Sequence, residues 1–459
     1  MGDWARSLPA RCGGKLVFGA LLAVLVIGLA LRVWSAARGY DFRHGSDADL
    51  YQRLAAHLHE TGTFGLPASQ NPYDFAPGLP YFAAAVYALA GQVTPLTARV
   101  VLAVLSTLVI VVVFLIGRRL AGPWAGLVGA ALTAVYPPAI FYAGLLMGEP
   151  LAMLTVGSAI LAFLWAADEG RSAWAWALPG ALFGVTAFVR PEYVLLTALF
   201  ALLALVVIAR RRGVWRGLAA GALLALAFAA VIAPWTIHVS DESGRLTPVS
   251  TGGGKALFIG TYLPGGGLHE GVKRSLYHRF RGGGTLTREQ YRATPMNPLL
   301  DEVAERYPNL PRDNALQRIG RRNLVRWATG EPRAFAEMMQ GKIRHMWRGS
   351  GAPSDTIAGG GFHYLVLALG LAGLALLAWR RRWEALPLVL LIGGISVLGG
   401  LLLAGTRRNV PVMPVLLALA GVAVLEGVRR VRARAPDRAG PGHDSNTDHA
   451  RREAHPVPQ

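Results

Sequence analysis

Long apolar runs separated by short polar breaks dominate the chain. A membrane-spanning helix needs about 20 mainly apolar residues. Candidate spans lie at 14–34, 97–117, 123–138, 147–167, 173–190, 191–209, 216–237, 362–379, 384–404 and 409–428. The segment "GLPYFAAAVYALAG" (78–91) is short for a span and is read as lying along the interface. The pattern predicts an all-α polytopic bundle of about ten transmembrane helices.

Between 238 and 361 the character changes. This stretch is first rich in Gly and Pro, then helical in period from about 298 to 347. Leu299, Val303, Leu316, Ile319, Leu324, Phe335, Met338 and Ile343 recur there at helical spacing. We expect an α-rich outer domain that opens with an irregular loop. The expected organisation is an N-terminal transmembrane module (1–237) with an acidic first outer loop (35–96), the outer domain (238–361), C-terminal helices (362–428) and a basic tail (429–459). The tail shows no apolar periodicity and is expected to be disordered.

Composition agrees with a membrane chain. Of 459 residues 53% are hydrophobic and 16% charged, against about 25% charged in a soluble protein. The net charge of +19 does not point to nucleic acid, because the arginines sit in short runs at the ends of apolar segments. The single cysteine, Cys12, excludes an internal disulfide. The first apolar run ends in Arg32 and Trp34 without a small-residue cleavage site, so it reads as an uncleaved helix.

Charge also sets topology. If 78–91 does not cross, Arg118-Arg119, Arg171, Arg210-Arg211-Arg212, Arg380-Arg381-Arg382 and Arg429-Arg430 all fall inside. Both termini are then cytoplasmic in a plasma (inner) membrane. Asp47, Asp49, Glu149, Arg190, Glu192, Arg407 and Arg408 then share the outer side. Basic residues kept on the disfavoured side suggest an anionic partner.

Other motifs were weighed. "STGGGK" (250–255) fails the phosphate-loop pattern, with Val249 and Ala256 at two required positions. It reads as a flexible turn or as backbone N–H groups that, with Lys255, cradle one lipid phosphate. His44, Asp47 and Asp49 could hold a divalent cation, although their spacing is no strong metal signature. His57 and His59 lie two apart on a helix and face different ways. No nucleophilic triad, CxxC, H-E-x-x-H or dinucleotide fingerprint is present.

The order "SDADLYQRLAAHLHETGTFG", "FAPGLPYFAAAVYALAG", "YPPAIFYAGLLMGEPLAML", "RPEYVLL", "PVSTGGGKALFIGTY" and "RRNVPVMPVLLALAG" resembles the GT-C superfamily of polytopic glycosyltransferases. The resemblance is in particular to the bacterial branch similar to protein O-mannosyltransferases and lipid A aminoarabinose transferases, over about 14–428. That resemblance implies a GT-C bundle with an extracytoplasmic α-rich domain. It implies transfer from a polyprenyl-phosphate sugar donor at the outer face to a protein, glycolipid or wall-polymer acceptor. Asp47 matches the key acidic residue, in the pattern Asp-Ala-x-x-Tyr ending at Tyr51, with Asp49 as second candidate. Glu149 matches the acidic residue after the "YP" turn. Arg407-Arg408 matches a basic-aromatic pair, with Asn409 where the family commonly has Tyr.

The chemistry suits this set. Sugar transfer to a hydroxyl needs a base for the acceptor proton and positive charge at the leaving phosphate. The candidates are Asp47, Asp49 and Glu149 for catalysis, with Tyr51, Arg190, Glu192, Lys255, Arg407 and Arg408 for substrate binding. No cofactor is required by this reading. The rival readings are a transporter or flippase of lipid-linked glycans and a membrane scaffold. A transporter predicts ionisable groups near the bilayer midplane, whereas these sit at helix ends.

Overall fold

The computed structural model describes residues 10–39, 46–66, 73–282, 287, 289, 293–352 and 359–434. Among them every regular element is helical. The first half comprises α1 (Ala10–Arg38), α2 (Asp47–Thr61), α3 (Gly78–Ala90), α4 (Pro95–Ala121), α5 (Pro123–Ala134), α6 (Pro137–Ala143), α7 (Glu149–Ala166), α8 (Ala177–Val189), α9 (Tyr193–Arg212) and α10 (Val214–Ser243). Then come α11 (Gly253–Thr261), α12 (His269–Arg281), α13 (Met296–Ala304), α14 (Arg312–Gly330) and α15 (Pro332–Trp347). The chain closes with α16 (Gly359–Trp379), α17 (Ala385–Leu401), a 3-10 segment (Thr406–Val412) and α18 (Met413–Arg434).

Seven described helices are long and apolar enough to cross a membrane, or eight if the bent pair α5–α6 is one span. The chain is an integral membrane protein. Each predicted span carries a helix, but three differ from a simple rod. The 173–190 span begins as a 3-10 turn (Ala173–Trp176) before α8. The 123–138 span ends early, at Ala134, and α6 leaves at 54°. Pro137 and Pro138 open α6 and supply no N–H groups to continue α5. The last span does not stop at 428: α18 runs on to Arg434, because "EGVRRVRAR" contains no proline and its four arginines are good helix formers. The rest of the basic tail lies outside the described residues. Helix α3, at 13 residues, is about 20 Å long, short of the ~30 Å hydrocarbon core.

Arg32 explains how the break at Ala134 persists. It is fully buried in the otherwise apolar α1. Its guanidinium donates to the carbonyls of Thr133 at 3.0 Å, Ala134 at 3.2 Å and Gly28 at 3.0 Å, and to Ser106 Oγ at 3.2 Å. The side chain thus caps the buried end of α5, donating to carbonyls whose i+4 positions are Pro137 and Pro138 and have no N–H to offer.

Small residues let these helices approach closely. A Cβ at Gly126 in α5 would stand 2.4 Å from the Phe114 carbonyl oxygen, and one at Gly421 in α18 would stand 2.2 Å from that of Ala125. The first half of α18, Met413 to Val422, is buried among α4, α5, α7 and α16. Val415 to Ala420 form its innermost stretch.

Helices α11 to α14 make a separate small core from Phe258, Ile259, Val272, Leu276, Leu299, Leu300, Val303, Leu316 and Ile319. Four of the eight periodic residues named from the sequence are in it. Phe335 and Met338 are buried on α15.

The arginine-rich loops gather at one end of the bundle. Arg119 pairs with Asp168 at 2.5 Å, and Arg212 donates to the Ala167 carbonyl at 2.6 Å. Arg382 donates to the Leu120 carbonyl at 2.6 Å, and Arg380 pairs with Glu426 at 2.6 Å. Asp168, Arg212 and Glu426 lie at or near the C-terminal ends of α7, α9 and α18. The N-terminal ends of the same helices carry Glu149, Glu192 and the 406–412 segment. Candidate site and arginine belt therefore occupy opposite ends.

Candidate active site

Helix α2 starts where it does because Ser46 caps it, its hydroxyl accepting from the Asp49 N–H at 3.3 Å. Asp47 and Asp49 in the first turn suit the positive end of the helix dipole. Gly62, at φ +72°, ends the helix in a left-handed conformation that favours glycine. Asp47 and Tyr51 stand four apart and share one face. Asp49 pairs with Arg53 of its own helix at 3.4 Å.

Glu149 opens α7, followed by Pro150 at a position where a missing N–H costs nothing. Its side chain is 1% exposed. Arg190 ends α8 in an extended conformation, and its Nη2 donates to Glu149 Oε1 at 2.6 Å. Arg407 Nε lies 3.9 Å from the same oxygen. The guanidinium of Arg407 also donates to the Asp47 carboxylate, both side chains being 41% exposed. Arg408 Nη1 lies 3.5 Å from Glu192 Oε1. Three carboxylates thus meet three guanidinium groups, with the Asp47–Arg407 pair at the open side and Glu149 behind it. Glu149 Oε2 is buried with no hydrogen-bond partner.

Burial opposes the charge of Arg190, but the carboxylates of Glu149 and Glu192 more than offset it, and its pKa is raised. Burial also works against ionised Glu192, yet Arg408 and Arg190 hold its carboxyl below the ordinary carboxylate value. Tyr51 is pushed up to about 12, first by burial and then by Asp47 and Glu149, against the pull of Arg190 and Arg407. Its phenol is a neutral O–H donor at physiological pH.

The segment carrying Arg407 and Arg408 is clamped from behind. Asn409 Nδ2 donates to the carbonyls of Met346 at 2.7 Å and Gly349 at 2.6 Å. These carbonyls lie at and just beyond the end of α15. Asn409 therefore caps that helix and contacts no carrier through a ring. Nothing in the sequence signalled this role.

Lys255 is arranged differently from its sequence reading. The phosphate-cradle reading of "STGGGK" needs free N–H groups at the start of α11. The Lys255 N–H donates instead to Asp313 Oδ1 at 3.0 Å, and Arg245 pairs with Asp313 Oδ2 at 2.8 Å. A carboxylate of the protein already fills the anion position at this helix N-terminus. A Cβ at Gly254 would lie 2.0 Å from the Asp313 carbonyl oxygen, so glycine is required there. The Lys255 ammonium lies 3.4 Å from Asn297 Oδ1 and feels the charges of Asp74 and Asp47. Burial lowers its pKa. Asp74, missed in the sequence, accepts from the Thr251 hydroxyl at 3.0 Å, and burial raises its pKa. It ties the first loop to the 250–255 turn.

His44, a candidate cation ligand, lies outside the described residues. Among the described residues no group of three or more His, Cys, Asp or Glu side chains converges. Arg407 stands between the carboxylates of Asp47 and Glu149.

Residues 74–238 match the family model described as dolichyl-phosphate-mannose-protein mannosyltransferase. The matched stretch includes Glu149, Arg190 and Glu192. The fold is similar to the archaeal oligosaccharyltransferase AglB from Archaeoglobus fulgidus in complex with an inhibitory peptide and a dolichol-phosphate. The TM-score is 0.55 at 16% identity, covering 92% of this chain and 52% of that one. The apo form of the A. fulgidus oligosaccharyltransferase gives 0.54 at 17% identity, covering 94% and 52%. ArnT from Cupriavidus metallidurans bound to undecaprenyl phosphate gives 0.41 at 16% identity, covering 91% and 78%. No curated protein matches by sequence. The chain spans about half the length of the archaeal oligosaccharyltransferase. Its fold is of the GT-C type.

Proposed function

We propose that this chain is a GT-C glycosyltransferase that moves a sugar from a polyprenyl-phosphate carrier to an acceptor hydroxyl. The observation that carries the reading is Arg407, which joins Asp47 to Glu149 at one end of the bundle. The family match over 74–238 and the GT-C fold support the class. AglB and ArnT were captured with dolichol-phosphate and undecaprenyl phosphate respectively, and a carrier of that chemistry suits three guanidinium groups.

The resting charges balance, three against three. A carrier phosphate entering this site brings negative charge and competes with Asp47 for Arg407. Arg, with its planar fork, grips phosphate oxygens bidentately. The exchange releases Asp47 from its ion pair at the moment the donor is in place. Asp47 then takes the proton of the acceptor hydroxyl. The acceptor oxygen bonds to the anomeric carbon as the bond from that carbon to the phosphate oxygen breaks. The electron pair leaves with the phosphate, and Arg407, Arg408 and Arg190 stabilise its charge. One displacement inverts the anomeric centre. Lys255 adds positive charge at the rim, and the neutral Tyr51 donates a hydrogen bond. Glu149 holds Arg190 and Arg407 in register.

The arginine-rich end opposite the site supports a cytoplasmic placement for that end and for both termini. The site then faces the extracytoplasmic side, where the acceptor is protein, glycolipid or wall polymer.

The test is Asp47→Asn in membranes supplied with a polyprenyl-phosphate sugar. Turnover should fall by about 10²–10⁴, with donor binding retained, while Asp49→Asn stays near the parent rate. Normal turnover in the Asp47 variant would remove Asp47 as the base.

A further inference from the structure

A cleft of about 760 Å³ opens at the same end of the bundle as the charged site. It lies among the end of α2, the start of α3 and the last turns of α10, and Phe188, at the end of α8, closes it. Three rings make one wall. Phe64 is parallel to Tyr73 (9°, centroids 5.9 Å apart) and to Tyr81 (5°, 6.0 Å apart). Trp235 stands nearly perpendicular to all three, at 72–85°. Its indole N–H is held by the Val249 carbonyl at 2.7 Å, which fixes the ring.

The rings pack on one another as one cluster beside a single space. An interfacial aromatic belt, by contrast, distributes its rings around the perimeter at headgroup depth. The volume falls within the range of small-molecule sites, and apolar walls with a few polar groups are their usual make-up. Here the polar groups are the exposed His238 and Glu242, with Thr63 and the two tyrosine hydroxyls. Tyr73 Oη and His238 Nε2 are 3.4 Å apart. Glu242 carries the one formal charge among the described lining residues.

That charge selects the occupant. A carrier phosphate would be repelled by Glu242 and finds its cations elsewhere, at Arg190, Arg407 and Arg408. A neutral sugar suits both features. Its C–H face stacks on flat rings, and its hydroxyls donate to a carboxylate and an imidazole. The cleft and the charged site share the end of α8. Phe188 lines it, two residues before Arg190, and the backbone at Gly78 packs so tightly on Phe188 that a Cβ would lie 2.9 Å from its carbonyl carbon.

We propose that this aromatic cleft is the acceptor subsite and that it binds a neutral glycan. The proposal rests on the transferase reading, since it names that reaction's acceptor. Sugar rings held against Tyr81 would lie at the same end of the bundle as Asp47.

Saturation-transfer NMR on the full chain in nanodiscs tests this, with mannobiose, cellobiose and lactose as probes. We expect transfer to the ring C–H protons of at least one probe, reduced at least fivefold in Tyr81→Ala and in His238→Ala. Both side chains are exposed, so neither substitution hollows the core. Asp47→Asn should keep the NMR signal while losing sugar transfer, so failure of binding and failure of chemistry read out separately. Absence of signal from all three probes would overturn the proposal. So would an undiminished signal in both variants, or displacement of the sugar by decaprenyl phosphate, which would make the cleft the carrier's groove.

Discussion

Arg407 binds Asp47 across 360 positions of sequence and stands 3.9 Å from Glu149. One guanidinium therefore holds two acidic groups from different helices. Arg407→Lys keeps the charge but loses the planar fork. Turnover should fall by about 10²–10³ in this variant, the scale seen on removing one preorganised transition-state donor. Single-turnover kinetics with a polyprenyl-phosphate sugar would measure it. A rate within twofold of the parent would show that the fork is dispensable.

Tyr51 is the neutral donor in a ring of charges. Its value of about 12, against an ordinary 10.0, keeps the proton on through mild alkali. Tyr51→Phe should lower turnover by about 5- to 30-fold, equivalent to ~1–2 kcal/mol for one hydrogen bond. In the parent, the rate profile should show no tyrosine-like decline near pH 10.

Glu192 gives an acid-side signature. Burial alone would raise its pKa, but Arg408 and Arg190 bring it below the ordinary 4.5. The folded-state value is thus lower than that of the unfolded chain. Its stabilisation is present above pH 4.5 and is lost as pH falls through the folded value. Glu192→Gln should remove that part of the acid dependence. Thermal unfolding from pH 6 to pH 3 would reveal a shallower slope in the variant.

Asn409 predicts a stability effect with an activity consequence. Asn409→Ala strands the Met346 and Gly349 carbonyls and should cost about 1–3 kcal/mol. Tm should fall, and transfer should weaken as Arg407 and Arg408 lose their backing. Asn409→Tyr should not restore Tm, because a phenol cannot donate to both carbonyls.

Much of this was legible because apolar length is a strong signal. Every long run became a helix, and charge at helix ends brought Asp47, Glu149, Arg190, Glu192, Arg407 and Arg408 to one end. Local helical period also separates Tyr51, beside Asp47, from Asp49 on another face. The rest depends on pairings distant in sequence. That Asp313 would fill the start of α11, or that Asn409 would cap α15, follows from where two helices meet rather than from any motif. The aromatic wall is similar: Phe64, Tyr73, Tyr81 and Trp235 come from four places and share no spacing. The bend at Ala134 was half visible, since Pro137-Pro138 marks a break, but its cap at Arg32 was not.

That cap has a consequence for synthesis. Arg32 lies in the last third of its helix, where a lone cation costs less than the ~2.5–3.5 kcal/mol of the helix centre, and the carbonyls that receive it lie 101 and 102 positions later. At about 5–20 residues per second, the ribosome takes ~5–20 s to deliver them. During that interval the nascent first helix carries a guanidinium without its partners on α5. The bonds that hold α1 to the end of α5 can form only once that second segment has been made.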